Sequence, residues 1–182
     1  MALADPRAPV LVGVGEASGQ KLKESQGLEW PSTVDLAAAA IQQALADSGA
    51  GEKLAASIDC LLSIRLFHDS GLPHDFGSPE NHPEAVATAA GLDPATLLYG
   101  DVGGQSPQKH LNKLACQVHA GEYKAVILSS AENMGTVKRA RRSGQELDWN
   151  QPATRAMTDL RTDEDKMLTA YEWRQGIINM PM

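Results

Sequence analysis

The chain has 182 residues, of which 42% are hydrophobic and 21% are charged, an ordinary composition for one globular domain with a sizeable core. Its net charge of −7 argues against nucleic acid as a main partner, because a phosphate-binding surface needs an excess of Lys and Arg. No apolar run approaches the roughly 20 residues of a membrane span, and residues 1–19 lack the pattern of a signal peptide. We therefore expect a cytoplasmic protein.

The N-terminal third alternates apolar runs with one amphipathic segment. Residues 9–14 are apolar and end at glycines, which predicts a buried strand. Ser32 then begins a helix that has Asp35 in its first turn and ends before Gly49. The leucine-rich and β-branched residues 58–67 predict a second strand. The inner face of the helix is formed by an apolar stripe at helical spacing: Val34, Ala37, Ala38, Ile41, Ala44 and Leu45.

The same alternation continues to about residue 134. Asn81 or Ser78 caps a short helix, and residues 96–99 form a third strand. A longer helix begins near Pro107, and residues 125–128 form a fourth strand. Strands separated by helices predict an α/β fold with a mainly parallel sheet and helices on both faces. The inner stripe of the longer helix consists of Leu111, Leu114, Ala115 and Val118.

Residues 99–134, YGDVGGQSPQKHLNKLACQVHAGEYKAVILSSAENM, carry the most specific pattern. A strand enters a glycine-rich turn, a helix ends at Gly121 and Glu122, and a second strand closes in AENM. This frame resembles the thiolase superfamily, in the N-terminal half of an acetyl-CoA acetyltransferase homologue of the lipid-transfer-protein kind. The resemblance implies half of a duplicated αβαβα subunit. It divides the chain into a thiolase-like α/β domain, residues 1–134, and a charged loop excursion with an apolar end, residues 135–182.

The family's nucleophilic cysteine is missing from this frame. Counting back from Gly121 without a gap places Gly104 at its position. A thiol at a helix start is activated because the unpaired N–H groups and the helix dipole stabilise its anion. Cys60 lies mid-strand and Cys116 about three turns into a helix, so we expect both to be reduced, structural residues without a catalytic role.

The resemblance implies acyl transfer or retro-Claisen cleavage on a coenzyme A thioester, in lipid metabolism, with no covalently bound cofactor. Gly103, Gly104, Gln105 and Ser106 would shape the substrate pocket, and amides at the Ser106 helix start would polarise a thioester oxygen. Ser106 itself precedes Pro107 and is expected to cap the helix. The family's second-half acid and base motifs do not occur, so this chain is expected to be inactive or to depend on a second half or a partner chain. A non-catalytic acyl-CoA-binding or assembly subunit is the alternative.

Two other ligand classes are weaker predictions. Residues 67–83 contain three histidines and three carboxylates, but their spacing matches no established ligand pattern, so we expect no metal there. The loop follows a strand and is placed to line a pocket. Residues 12–19 are rich in glycine as in a dinucleotide-binding loop, yet the segment that follows has poor helical periodicity. The acidic and histidine side chains of the loop are His68, Asp69, His74, Asp75, Glu80 and His82.

The last quarter of the chain is polar and poorly periodic. Its cluster of basic residues is interpreted as a solvated face in preference to a phosphate contact: Lys138, Arg139, Arg141 and Arg142. The resemblance places the strand at residues 96–99 in a dimer interface, and residues 177–182 are apolar. We therefore expect a homodimer or higher oligomer.

Overall fold

A computed structural model of the chain describes residues 5–70, 76–161, 171 and 174–176. The elements in chain order are α1 Gly19–Gln26, α2 Thr33–Asp47, α3 Gly51–Ala55, β1 Ile58–Ser63, α4 His82–Ala89, β2 Thr96–Tyr99, α5 Ser106–Ala120, β3 Ala125–Ser129, α6 Met134–Arg142 and β4 Thr158–Asp159. The four strands form one parallel sheet in the order β3-β1-β2-β4. This confirms the predicted α/β class with a parallel sheet.

The sheet separates two apolar layers, because successive side chains of a strand point to opposite faces. Leu61, Leu97 and Ile127 face α2 and α4, whereas Leu62, Leu98 and Leu128 lie in the layer that contains Leu114 of α5. Leu61 stands beside Leu97 on one neighbouring strand and beside Ile127 on the other. Helices therefore cover both faces, as the alternation of elements predicted.

The helix α2 begins and ends as its sequence predicts. Ser32 and Asp35 form a reciprocal capping box, in which the Asp35 N–H donates to Ser32 Oγ (3.1 Å) and the Ser32 N–H donates to Asp35 Oδ2 (2.7 Å). The helix stops at Ser48, and Gly49 follows with a φ of +67°. For α4, the structure selects Asn81 as the cap, because its Oδ1 accepts the Glu84 N–H at 3.0 Å.

The predicted strand at residues 9–14 is wrong. These residues belong to no strand, and the side chains of Val10, Leu11 and Val12 are 75%, 78% and 52% exposed. The N–H of Val14 donates to Asp47 Oδ2 at the end of α2 (2.9 Å). A Cβ at Gly13 would overlap the backbone of α2, so this glycine permits the segment to lie directly on the helix.

The helix α1 was also not predicted. Ser18 caps it by accepting the Lys21 N–H at 3.3 Å, and Gly27 ends it in the left-handed conformation. Leu22 is its one buried residue. A helix with so few apolar positions shows no stripe, which is why periodicity missed it.

A helix and a strand follow residue 134, where we expected a charged loop. Thr136, Val137 and Ala140 bury one face of α6, and Phe76 packs against it. The basic residues of α6 lie on its exposed side, as the solvated-face interpretation predicted. Within the described part of the chain, no helix is long and apolar enough to cross a membrane.

The chain covers the β2 edge of its own sheet with residues 149–160, which we call the strap. Its strand β4 places Thr158 beside Leu98, and the Leu160 N–H donates to the Tyr99 carbonyl oxygen at 2.8 Å. An ion pair of 2.5 Å joins Arg65 Nη2, which is buried, to Asp159 Oδ1.

Part of the strap packs against the apolar layers, and the rest is held by polar contacts. Asn81 Nδ2 donates to the Arg155 carbonyl oxygen (3.0 Å), Arg155 Nη1 pairs with Asp93 Oδ1 (2.7 Å), and Thr154 Oγ1 donates to Glu84.

This arrangement corrects the expectation that residues 96–99 offer an open apolar edge for dimerisation. Leu97, Leu98 and Tyr99 are all buried within the chain. Residues 177–182, the other surface invoked, lie outside the described residues.

Candidate functional site

The candidate site lies where β2 leads into α5. Asp101 and Val102 leave the sheet, Gly103 turns the chain with a φ of +125°, and the helix begins at Ser106. In a parallel sheet this carboxyl edge is where ligands bind. The sequence predicted the turn and the helix, but it placed the cap at Ser106, whereas the cap is Gln105, which makes no side-chain capping bond.

The buried carboxylate of Asp101 accepts contacts from two residues in the first two turns of α5. Ser106 Oγ donates to its Oδ2 at 2.7 Å, and His110 Nε2 lies 2.5 Å from its Oδ1. All three side chains are buried, with at most 3% of their surface exposed. Burial raises the pKa of Asp101, but the hydrogen bonds from Ser106 and His110 outweigh it and leave this pKa below its usual value.

The four predicted substrate-binding residues do not all face the same way. Gly104 and Gln105 are exposed and Gly103 is half-buried, so these three line the outer side of the turn. No atom lies within 4 Å of the place where a Cβ of Gly104 would stand, which leaves open space above the turn. Ser106 points inward to Asp101 and is fully buried.

The backbone amides at this helix start are less available than the sequence suggested. The Ser106 N–H donates to the Gly103 carbonyl oxygen at 3.1 Å. Pro107, the next residue, has no N–H to offer. Neither of the first two helix residues therefore offers the free amide that was expected to polarise a thioester oxygen.

Neither cysteine can replace the missing nucleophile. Cys60 is fully buried in β1, and burial raises its pKa to about 11, which suppresses the thiolate. Cys116 is exposed on α5, more than two turns from the helix start. Both are free thiols, and neither shares the turn with Gly104.

A second polar cluster lies at the carboxyl ends of β1 and β2, and the sequence predicts only some of its members. Tyr99 Oη donates to Asp69, and the Leu66 N–H donates to Tyr99 Oη at 3.2 Å. His82 stacks on the Tyr99 ring with centroids 5.9 Å apart, and its Nε2 lies 3.2 Å from Thr33 Oγ1. Burial lowers the pKa of His82 to about 4.

Glu132, which follows β3, joins this cluster. Its carboxylate accepts the Phe67 N–H at 2.8 Å, and desolvation, with a smaller contribution from Asp69, raises its pKa. His68, Asp69 and His82 belong to the loop that the sequence predicts to line a pocket, whereas Tyr99 and Glu132 carry no predicted role beyond the ends of their strands. Tyr99 ends one predicted parallel strand and Glu132 lies shortly after another, and this was the signal that they would meet at one edge of the sheet.

The predicted ligand classes can be compared with this geometry. Across the residues that the structure describes, no three His, Cys, Asp or Glu side chains are grouped to hold a metal ion. His74 and Asp75, two of the histidines and carboxylates in residues 67–83, lie outside the described residues. The glycine-rich residues 12–19 follow no strand, so the strand-turn-helix setting of a dinucleotide loop is not formed there.

Comparisons with known proteins bear on the fold. No protein-family profile matches the chain, and no curated protein sequence does. Among solved structures, the chain is similar to a monomeric SCP2-thiolase-like protein type 1 from Mycobacterium smegmatis, with 34% identity over 71% of this chain and a TM-score of 0.55. The chain spans 24% of the length of that protein. Together with the parallel sheet and its helices, this similarity shows that the chain has a thiolase-like α/β fold.

Proposed function

We propose that this chain is a thiolase-like acyl-CoA acyltransferase homologue that binds a coenzyme A thioester at residues 103–106 in the cytoplasm and lacks a nucleophile of its own. The observation that carries the proposal is the open space above Gly104, at the carboxyl edge of the sheet, in a chain with a thiolase-like fold. Retro-Claisen cleavage would use the thiol of free coenzyme A as the nucleophile. A second half or a partner chain would have to supply a base that takes the thiol proton and an acid that protonates the enolate released when the carbon–carbon bond breaks.

Two observations support the competing candidate, a non-catalytic acyl-CoA-binding or assembly subunit. The Ser106 N–H is already bonded to Gly103, and Cys60 is buried with a raised pKa. A site without a nucleophile and with few free amides can hold a thioester more readily than it can attack one.

Binding is tested by filling the space above the turn. Because Gly104 is open and its φ lies outside the left-handed region, Gly104→Trp should fold normally while its indole occupies the ligand's place. The matched control is Gly135→Trp, since Gly135 is equally open and lies in the first turn of α6. We expect calorimetry to show acetyl-CoA binding to the wild type and to Gly135→Trp, and about tenfold or weaker binding to Gly104→Trp.

Absence of acetyl-CoA binding to the wild type, or equal loss in both variants, would contradict the proposed site. Turnover separates the two candidates. With acetoacetyl-CoA and free coenzyme A, the isolated chain should produce no acetyl-CoA. Addition of the partner chain or second half should restore turnover if the acyltransferase homologue is correct, and should leave the rate at zero for a binding subunit.

A further inference from the structure

A buried arginine lies at the carboxyl edge of the sheet, close to the turn at residues 103–106. The side chain of Arg65 is 5% exposed, and its Nε donates to the Gly100 carbonyl oxygen at 3.2 Å. Its guanidinium carbon stands 4.3 Å from the centre of the Tyr99 ring, a contact that helps to orient the group. Gly100 precedes Gly103 by three residues, which span at most about 11 Å. Arg65 is therefore a buried, oriented cation near the proposed thioester site.

The counter-ion of Arg65 comes from the strap. Asp159 Oδ1 lies 2.5 Å from Arg65 Nη2, although the two residues are 94 positions apart in the chain. Asp159 belongs to β4, a strand of two residues, and its side chain is 38% exposed. The nearby carboxylates Asp69 and Asp101 are bonded elsewhere, to Tyr99 and to α5. The partner of the buried cation is thus a carboxylate that solvent can reach, on a short edge strand.

This pair can be exchanged for another one. A buried charge without a partner is strongly unfavourable, so Asp159 can leave only when another anion takes its place beside Arg65. Asp159 has a second counter-ion outside, because Arg161 Nη2 lies 3.2 Å from its Oδ2 and the Arg161 side chain is 54% exposed. The guanidinium group binds carboxylates through parallel N–H donors. An incoming carboxylate would therefore restore the pairing that the strap gives up.

The position of Arg65 indicates which anion this is. The phosphates of coenzyme A are separated from its thioester by the whole pantetheine arm, whereas the far end of a short acyl chain stays close to the thioester. We infer that Arg65 is a specificity-determining residue that binds the terminal carboxylate of a dicarboxylic acyl thioester, and that Asp159 occupies this place until the ligand displaces it. The inference rests on the proposed function for the thioester and extends it to the acyl chain.

Two thioesters with equal carbon chains test the role of the carboxylate. Glutaryl-CoA ends in a carboxylate, and pentanoyl-CoA ends in a methyl group. We expect calorimetry to show that glutaryl-CoA binds the wild type more tightly, by about threefold or more. Asp159→Asn removes the competing charge and keeps the size of the side chain, so it should strengthen glutaryl-CoA binding by a further factor of about three and leave pentanoyl-CoA binding unchanged.

The matched control is Asp93→Asn. Asp93 Oδ1 also pairs with an arginine, Arg155 Nη1 of the strap, at 2.7 Å. It precedes β2, so it lies at the opposite edge of the sheet from the proposed site. Asp93→Asn should therefore leave both affinities as they are in the wild type.

Hydrogen exchange shows whether the ligand displaces the strap. The Leu160 N–H, next to Asp159, donates to the Tyr99 carbonyl oxygen at 2.8 Å. Glutaryl-CoA should lower the protection of this amide in the wild type, and pentanoyl-CoA should not. Arg65→Lys keeps the charge but loses the planar set of donors, so it should reduce the preference for glutaryl-CoA. A merely structural ion pair would affect stability and leave that preference unchanged.

Equal affinity of the wild type for the two thioesters would overturn the inference and leave the proposed function standing. It would also be overturned by a preference that is the same in Asp159→Asn and Asp93→Asn, or by unchanged protection of Leu160 with glutaryl-CoA. If Asp159→Asn or Arg65→Lys does not fold, the wild-type affinities and the Leu160 exchange decide. Binding of neither thioester to the wild type would contradict the proposed function and the inference together.

Discussion

Two helices of 15 residues, α2 and α5, lie on opposite faces of the sheet and are held there in different ways. α2 buries seven residues, nearly all apolar, and its capping box satisfies its first turn. α5 buries only three residues, and two of these, Ser106 and His110, are polar and bonded to Asp101. The comparison shows that α2 is positioned by apolar burial along its length, whereas α5 is positioned mainly by polar contacts at its start.

The largest expected effect comes from removing apolar burial on the α2 face. Ile41 is 4% exposed in the main core, so Ile41→Ala should lower the free energy of unfolding by about 2–5 kcal/mol. Leu111 of α5 does not lie on the inner face as predicted but is 44% exposed, so Leu111→Ala should cost less than about 1 kcal/mol. Urea denaturation of the two variants measures both values, and similar losses would show that the two helices do not differ in this way.

Acid should weaken the α2 face first. His82, which contacts Thr33 of α2, has its pKa lowered by burial from 6.5 to about 4. Its neutral form is favoured in the folded state, so its contribution is complete above pH 6.5 and is lost as pH falls from 6.5 to about 4, by about 3 kcal/mol. Asp101 has a lowered pKa, so its contribution is present above its unfolded value and is lost only at still lower pH.

The measurement is unfolding free energy against pH for the wild type and His82→Gln. In this variant the unfolding free energy should depend much less on pH between 6.5 and 4. The pH dependence that remains should come from the half-buried His68, because burial also lowers its pKa. A slope that is unchanged in His82→Gln would contradict the assignment.

An intermediate effect is expected at the polar anchor of α5. Asp101→Ala leaves the Ser106 hydroxyl and the His110 ring buried without their acceptor and should cost about 2 kcal/mol. The matched change on the other face is Asp35→Ala, which removes half of a partly exposed capping box and should cost about 1 kcal/mol. Amide hydrogen exchange should show the first turns of α5 losing protection in Asp101→Ala, and retained protection there would show that apolar contacts suffice to hold the helix.

The smallest effects separate the two glycines of the turn. Gly103 has a φ of +125°, where a Cβ is strained, so Gly103→Ala should cost about 1 kcal/mol or more. Gly104→Ala enters open space and should change stability by less than about 0.5 kcal/mol. Thermal unfolding compares the two, and equal costs would mean that Gly104 is as constrained as Gly103.

Sequence patterns predicted an element correctly where a cap or turn residue stands next to an apolar run that is buried. The Ser32 cap, the strand at residues 96–99 and the glycine-rich turn all combine a cap or turn residue with an apolar run, and each was found in the structure. Residues 9–14 show the limit of this reasoning. An apolar run predicts burial, but it does not show which element the run will lie against, and here the backbone packs on α2 while the side chains face outward.

The turn that forms the candidate site was predicted, whereas the contacts around it were not. The turn at Gly103 and Gly104 follows from its glycines, but the contacts of Asp101 do not, because nothing in the spacing of Asp101 and His110 marks a bond across the first two turns of a helix. Occupation of the Ser106 N–H by Gly103 depends on the detailed turn geometry, which composition does not fix. The strap was missed because polar contacts hold much of it, and such contacts leave no periodic pattern.

The strap also determines how this sheet can be enlarged. β4 occupies the side of β2, and among the described residues none pairs with the outer side of β3. Any further strand, whether a fused peptide, an engineered hairpin or another polypeptide, therefore has β3 as its available template, in register with Ala125–Ser129. Attempts to graft a sequence next to β2 would first have to displace the ion pair between Arg65 and Asp159.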